Sequence, residues 1–155
     1  MKKILVVSDS HGNSIKLRDI INREKPFDYI VHCGDGVNDL IHSSVPPGSV
    51  TLAVTGNIDI GRGITGERLI VTTIAEKKIM ITHGDIFGAH AGLSSLESEA
   101  RKRGADIVLF GHTHVKYLGK GTPALFNPGP ANNGLYGIIY LADRVSFSHH
   151  DIGAE

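Results

Sequence analysis

In the stretch Val108-Leu-Phe-Gly-His-Thr-His114, an apolar run stops at a glycine and two imidazoles follow, His112 and His114. Similar arrangements recur along the chain. The run Ile4–Val7 leads through Ser8 to Asp9 and His11, and Tyr29–Cys33 ends at Gly34-Asp35. Val50–Thr55 ends at Gly56-Asn57, and Ile79–Thr82 ends at His83-Gly84. Each cluster offers carboxylate, imidazole or carboxamide groups, the oxygen and nitrogen donors that suit Mn, Fe, Zn, Ni or Co. In open α/β sheets, ligands bind outside the carboxyl ends of the strands. Residues i and i+2 of extended backbone project to the same side, so Asp9 with His11, and His112 with His114, can each aim two donors into one cavity. Taken singly, Gly-Asp and Gly-Asn are ordinary turn dipeptides, and Asp9-Ser-His-Gly-Asn reads as a turn and helix cap. Five such clusters, all following apolar runs, point to a metal site.

The elements that must carry these groups follow from the pattern. Lys2–Ser8 reads as a buried strand. Asn13 or Ser14 can cap a helix whose apolar side is Ile15, Leu17, Ile20 and Ile21, running until Pro26. Tyr29–Cys33 and Val50–Thr55 are further strands, with a helical turn over Asp39–His42 between them. Arg68–Ala75 and Lys78–Thr82 form a hairpin around Glu76-Lys77, and a helix spans Ala91–Arg103. Strands follow at Asp106–Phe110, Ala124–Phe126, Gly137–Leu141 and Arg144–Ser148. This order predicts an α/β (α+β mixed) fold of two mixed sheets packed face to face and flanked by helices. Gly61-Arg-Gly-Ile-Thr-Gly66 has the letters of a dinucleotide fingerprint, but that motif needs a strand before it and a helix after it. Here a strand-like run follows, so the segment is expected to be a loop.

At 155 residues the chain is expected to form a single domain, 1–155. Lysine plus arginine equals aspartate plus glutamate, 16 against 16, which removes the basic excess that drives sequence-independent nucleic-acid or anionic-membrane binding. The lone Cys33 rules out an intramolecular disulfide, consistent with a cytoplasmic location. The opening apolar run, Ile4–Val7, is too short for a signal-peptide h-region.

The order Asp-x-His, Gly-Asp, Gly-Asn, His, Gly-His-x-His resembles the calcineurin-like metallophosphoesterase superfamily. Gly56-Asn57-Ile58-Asp59 and Asn127-Pro128-Gly129 are similar to segments of its small bacterial and archaeal phosphodiesterases. The resemblance covers nearly the whole chain. It implies a four-layer α/β/β/α sandwich and two divalent metal ions, expected to be Mn²⁺, with Ni²⁺, Zn²⁺, Fe²⁺ or Co²⁺ as alternatives. Asp9, His11 and His114 would hold the first ion, Asn57, His83 and His112 the second, and Asp35 would bridge both. The implied catalytic groups are Asp35, Asn57 and His112. The implied reaction is hydrolysis of a small phosphodiester by a metal-bridging hydroxide. Two carboxylates against two dications leave the site net positive by about two charges, which favours an anionic ester.

Two departures stand out. Ile58 occupies the position where many superfamily members have histidine. His83-Gly84-Asp85 replaces the subgroup's usual His-Gly-His, so Asp85 is expected either to touch substrate or metal, or to be a turn residue. Arg62 is a second candidate substrate contact, His90 a third, and Asp59 is expected to brace the Asn57 loop. His32 is expected in the core or the site, and His42, His149 and His150 at the surface. Phosphomonoester or nucleotide hydrolysis is the nearest alternative activity. A non-catalytic interaction scaffold is another reading, since a retromer subunit resembles these enzymes. Homo-oligomers are common among the relatives.

Overall fold

The computed structural model describes residues 1–154. Its elements are β1 (Lys2–Val7), α1 (Ser14–Glu24), β2 (Tyr29–His32), β3 (Val50–Ala53), α2 (Asn57–Gly61), β4 (Leu69–Ile74), β5 (Lys77–Thr82), α3 (Ser94–Lys102), β6 (Ile107–Leu109), β7 (Tyr117–Gly119), β8 (Ala124–Asn127), β9 (Leu135–Leu141) and β10 (Val145–Asp151). Short 3₁₀ turns occupy Val37–His42, Asp85–Phe87, Ala89–Ala91 and Ala131–Asn133.

Two five-stranded mixed sheets result, in the orders β10-β9-β1-β2-β3 and β4-β5-β6-β8-β7. In the first, β1, β2 and β3 are parallel and β9 and β10 close the other side antiparallel. In the second, β5, β6 and β8 are parallel, with β4 and β7 antiparallel at the edges. The parallel strands other than the edge strand β3 are buried on both faces, which is why they read as continuous apolar runs. In β1, Ile4 and Val6 pack between the sheets with Val31, Ile79, Ile81, Leu109 and Phe126. Leu5 and Val7 face the other way and meet Leu17, Ile20 and Ile21 of α1. On the second sheet, Met80, Val108 and Leu125 receive Leu96 and Ala100 of α3. The layers are therefore helix, sheet, sheet, helix, as expected.

Some local expectations need correction. Ile15 is 68% exposed and takes no part in the apolar side of α1, because the helical period puts it on the opposite face from Leu17, Ile20 and Ile21. Asn13 is the helix cap, its side chain accepting from the Lys16 amide at 3.0 Å. The hairpin turn is Ala75-Glu76, one residue earlier than predicted, because Ile74 pairs with Lys77. Both turn residues have positive φ, 47° and 68°, the geometry that matches strand twist in two-residue hairpins. The short strand β7 and helix α2 carried no periodicity long enough to read. His149 and His150 are half-buried rather than at the surface: His149 stacks on Phe126 and His150 on Tyr136. His42 is exposed, as expected.

Candidate metal centre

Because β1, β2, β3, β5 and β6 are parallel within their sheets, their carboxyl ends emerge along one rim. Asp9 and His11 follow β1, Asp35 follows β2, Asn57 opens α2 after β3, His83 follows β5, and His112 and His114 follow β6. The rim gathers two donor clusters, Asp9-His11-His114 and Asp35-His83-His112, each with its ligand atoms within 4.8 Å of one another. Each cluster draws from both sheets. His11, Asp35, Asn57, Ile58, His90, His112 and His114 line one cavity of about 140 Å³ above them. A larger depression, about 500 Å³, lies at the opposite end beside the Ala75-Glu76 turn and Leu141–Arg144, where no donor cluster converges among the described residues.

The way these donors converge differs from the extended-backbone expectation. Asp9, His11, Asp35, His112 and His114 all have positive φ, between 47° and 71°. Left-handed backbone is uncommon outside glycine and costs roughly 1–2 kcal/mol per residue. The paired donors therefore aim inward from tight turns, not from the same side of a strand. Backbone bonds hold the turns: Asp9 N–H to Gly34 O at 2.9 Å, His11 N–H to Asp35 O at 3.1 Å, and Gly111 N–H to His83 O at 3.0 Å. Strain concentrated at one set of side chains and held in place by the surrounding structure is a mark of a functional site.

Crowding requires glycine at these turns, at Gly111 and Gly56 among others. A Cβ on Gly111 would lie 2.0 Å from Ser8 Oγ and 2.6 Å from Asp9 Oδ2, and one on Gly56 would lie 2.2 Å from Asp35 Oδ1.

In the first cluster, Asp9 is buried and its Oδ2 is fully engaged, accepting from Ser8 Oγ at 2.6 Å and the His112 amide at 3.2 Å. Its Oδ1 is buried with no hydrogen-bond partner among the described residues. His114 Nε2 and His11 Nε2 face that oxygen at 3.2 and 3.5 Å, and lie 3.3 Å from each other. A buried carboxylate oxygen without a donor costs free energy. A cation shared with two imidazole nitrogens removes that cost, so the residues fit a divalent metal.

The second cluster fits for a different reason. His83 Nδ1 donates to the Cys33 carbonyl at 2.8 Å, which turns Nε2 into the site. That Nε2 lies 3.1 Å from Asp35 Oδ2 and 3.2 Å from His112 Nδ1. Burial acts to lower the His83 pKa, but the Asp35 carboxylate and the charge of Asp9 outweigh it and the net shift is upward. Burial likewise raises Asp35, and His83 and the Ile58 amide more than reverse this, leaving it lowered. His112 is lowered by burial and by the neighbouring His83 and His90. The surroundings of His83 thus favour a positive charge at the place a cation would take.

Supporting residues hold these turns from behind, and of them Ser10 and Asp39 carried no sequence signal. Asp59, expected to brace the Asn57 loop, does more. Its buried carboxylate accepts from the amides of Asp35 at 2.8 Å, Gly36 at 2.8 Å and Gly56 at 3.0 Å. Ser10 Oγ donates to Asp39 Oδ2 at 2.6 Å and meets His32 Nε2 at 3.0 Å. Asn127 donates to Gly111 O and Thr113 Oγ1, both at 3.1 Å, so the Asn-Pro-Gly segment buttresses the Gly-His-Thr-His turn.

His32 lies in the core beneath the site, fully buried, with Nδ1 accepting from the Gly34 amide at 3.0 Å. Burial lowers its pKa to about 4. The unfolded chain takes up this proton near 6.5, the folded one only near 4, so stability is lost as pH falls through that window and is unaffected above it. In chelator, the wild type should lose roughly 3 kcal/mol more than His32→Asn between pH 7 and pH 4. Urea unfolding midpoints at the two pH values check this; parallel losses would place the acid sensitivity elsewhere.

The three candidate substrate contacts are placed differently from the donors. Arg62 is exposed at the end of α2, outside the cavity lining. Asp85 belongs to neither donor cluster and forms an ion pair with Arg68. His90 is exposed on its 3₁₀ turn and sits edge-on to His112, ring centroids 4.4 Å apart.

Comparison with known proteins agrees with this geometry. Residues 1–140 match the calcineurin-like phosphoesterase superfamily domain. The chain is 35% identical over 113 residues to a probable metallophosphoesterase of Bacillus subtilis, YsnB, covering 72% of this chain and 64% of that protein. It is 28% identical over 128 residues to a probable metallophosphoesterase of Methanocaldococcus jannaschii, covering 80% and 65%. The chain thus spans just under two thirds of these relatives' length. A predicted phosphoesterase from Streptococcus pneumoniae superposes with a TM-score of 0.75 at 28% identity, covering 94% of this chain and 88% of that one. Vps29 from Entamoeba histolytica in complex with Zn²⁺ shares the fold, with a TM-score of 0.71 at 19% identity over 96% and 98% of the two chains. With its donors on the expected strand ends and the family's domain spanning nearly its whole length, the chain belongs to the calcineurin-like phosphoesterase superfamily.

Proposed function

We propose that this protein is a two-metal phosphoesterase that hydrolyses small phosphodiesters. The observation that carries the reading is the pair of three-residue donor clusters opening into one cavity, one of them containing a buried carboxylate oxygen left without a donor. Asp9, His11 and His114 would hold one ion and Asn57, His83 and His112 the other, with Asp35 between them. Such ions polarise a phosphoryl group and make water a nucleophile near neutral pH.

The chain's own residues restrict the substrate. No lysine or arginine lines the cavity, so a second phosphate would find no cation of the protein to meet it. The walls not made of donors are Ile58 and His90. Ile58 offers a leaving group no proton, and its amide is committed to Asp35 Oδ1 at 2.9 Å. His90 can donate to a non-bridging phosphate oxygen. This supports an ester with one phosphate and an uncharged substituent over a polyphosphate nucleotide.

The test is paired. Metal per chain is counted by elemental analysis, and the same sample is assayed on a chromogenic phosphodiester and its monoester, with and without Mn²⁺. Two ions and Mn²⁺-dependent diester cleavage are expected. Activity surviving thorough metal depletion would sink the two-metal reading, and bound metal with no turnover on either ester would turn it toward a binding scaffold.

A further inference from the structure

The two sheets are separate hydrogen-bonded units, so nothing in their ladders sets the distance between a strand end of one and a strand end of the other. Asn57 hangs from the edge strand of the first sheet, β3, whereas His83 and His112 hang from strands of the second. One side chain outside the donor set spans that gap. Arg68, just before edge strand β4, donates from Nε to the Thr55 carbonyl at 3.2 Å, two residues before Asn57. Its other arm pairs with Asp85 Oδ2, two residues after His83. The backbone around both ends is sewn down: the Thr55 amide donates to Glu67 O at 2.8 Å, and Thr82 Oγ1 donates to Arg68 O at 3.0 Å.

The geometry points to Arg68 and Asp85 as a positioning clamp that sets the separation of Asn57 from His83 and His112, and so the affinity of the second metal site alone. This rests on the two-metal reading above. It assigns a role to the acid that stands where the resembling subgroup has its second histidine. An imidazole at position 85 would not hold a guanidinium, whereas a carboxylate pairs with one strongly. Lysine cannot replace Arg68, because a single ammonium lacks the fork that reaches two partners at once. The first cluster lies beyond the clamp's reach, since Asp9, His11 and His114 are held by Ser8, by the Asp35 loop and by the Asn127 segment.

The experiment titrates Mn²⁺ calorimetrically into metal-free full-length wild type, Arg68→Met, Asp85→Asn, the double variant and Arg68→Lys. Wild type is expected to bind two ions. Arg68→Met and Asp85→Asn should keep one of them at wild-type affinity and weaken the other by about 10–100-fold, the usual effect of removing a group that orients a metal ligand. The double variant should weaken it no more than either single change, because both remove one shared interaction. Arg68→Lys should stay weak. Asp85→Asn nearly preserves volume and keeps the test open if Arg68→Met folds poorly. Unchanged affinity at both sites, equal weakening of both, or full recovery with lysine would each overturn the clamp while leaving the two-metal reading intact. A wild type binding fewer than two ions would overturn both together.

Discussion

Asp35→Asn is expected to lower diester turnover on the order of 10³-fold, equivalent to about 4 kcal/mol of transition-state stabilisation. The substitution keeps the shape of the side chain. The amide oxygen can still accept from the Ile58 amide, which Asp35 Oδ1 receives at 2.9 Å. What disappears is the charge beside His83 Nε2, 3.1 Å away, in the cluster that would hold the second ion. Metal per chain should therefore fall while the thermal midpoint in chelator stays within a few degrees of wild type. Raising Mn²⁺ should recover part of the occupancy, but little of the rate if Asp35 bridges both ions. A rate within tenfold of wild type at equal occupancy would remove Asp35 from the mechanism.

Asp59→Ala should produce the largest loss of stability among substitutions outside the donor set. Its carboxylate is 2% exposed and receives three short amide hydrogen bonds, from Asp35, Gly36 and Gly56. Removing it strands three N–H groups at the base of the site. At 1–3 kcal/mol per unsatisfied group the cost is about 3–5 kcal/mol, allowing some relief by water. For a chain of this size that corresponds to a fall of roughly 10 °C or more in Tm. Asp59→Asn retains one accepting oxygen and should lose less. Calorimetric melting of the three proteins in chelator decides the matter; an alanine variant melting within about 2 °C of wild type would show that the Asp35 turn holds itself.

Both expectations depend on a feature of the turns that has physical force. Five of the seven expected ligands sit in left-handed backbone, a conformation they would leave if unsupported. Asp59 beneath Asp35, Ser8 beside Asp9 and Asn127 beneath the His112 turn supply the support. Binding metal to such a site requires little reorganisation, but the metal must compete with protons for His83, whose pKa is held above its ordinary value by Asp35 and Asp9. Metal affinity at the second cluster should consequently fall as pH is lowered, with proton release on binding.

By itself, the sequence determined the layers and the identity of the donors. Burial on both faces forces continuous apolar runs on β1, β2, β5 and β6, and the polar residues that interrupt each run mark where the strand leaves the core. Period, glycine and donor type are local properties, and a chain records them locally. The tertiary structure decided everything that depends on two distant segments meeting. Asp9 and His114 are far apart in the chain and 3.2 Å apart in space. Asp59 looked like a brace for its own loop, which it is through the Gly56 amide, and it also binds the turn after β2. Asp85 looked like a substrate contact or a turn residue and is the partner of Arg68, 17 positions earlier. The left-handed turns were hidden too, because the bonds that hold aspartate and histidine in that backbone come from the ends of neighbouring strands distant in the chain, and those bonds exist only once the strands have paired.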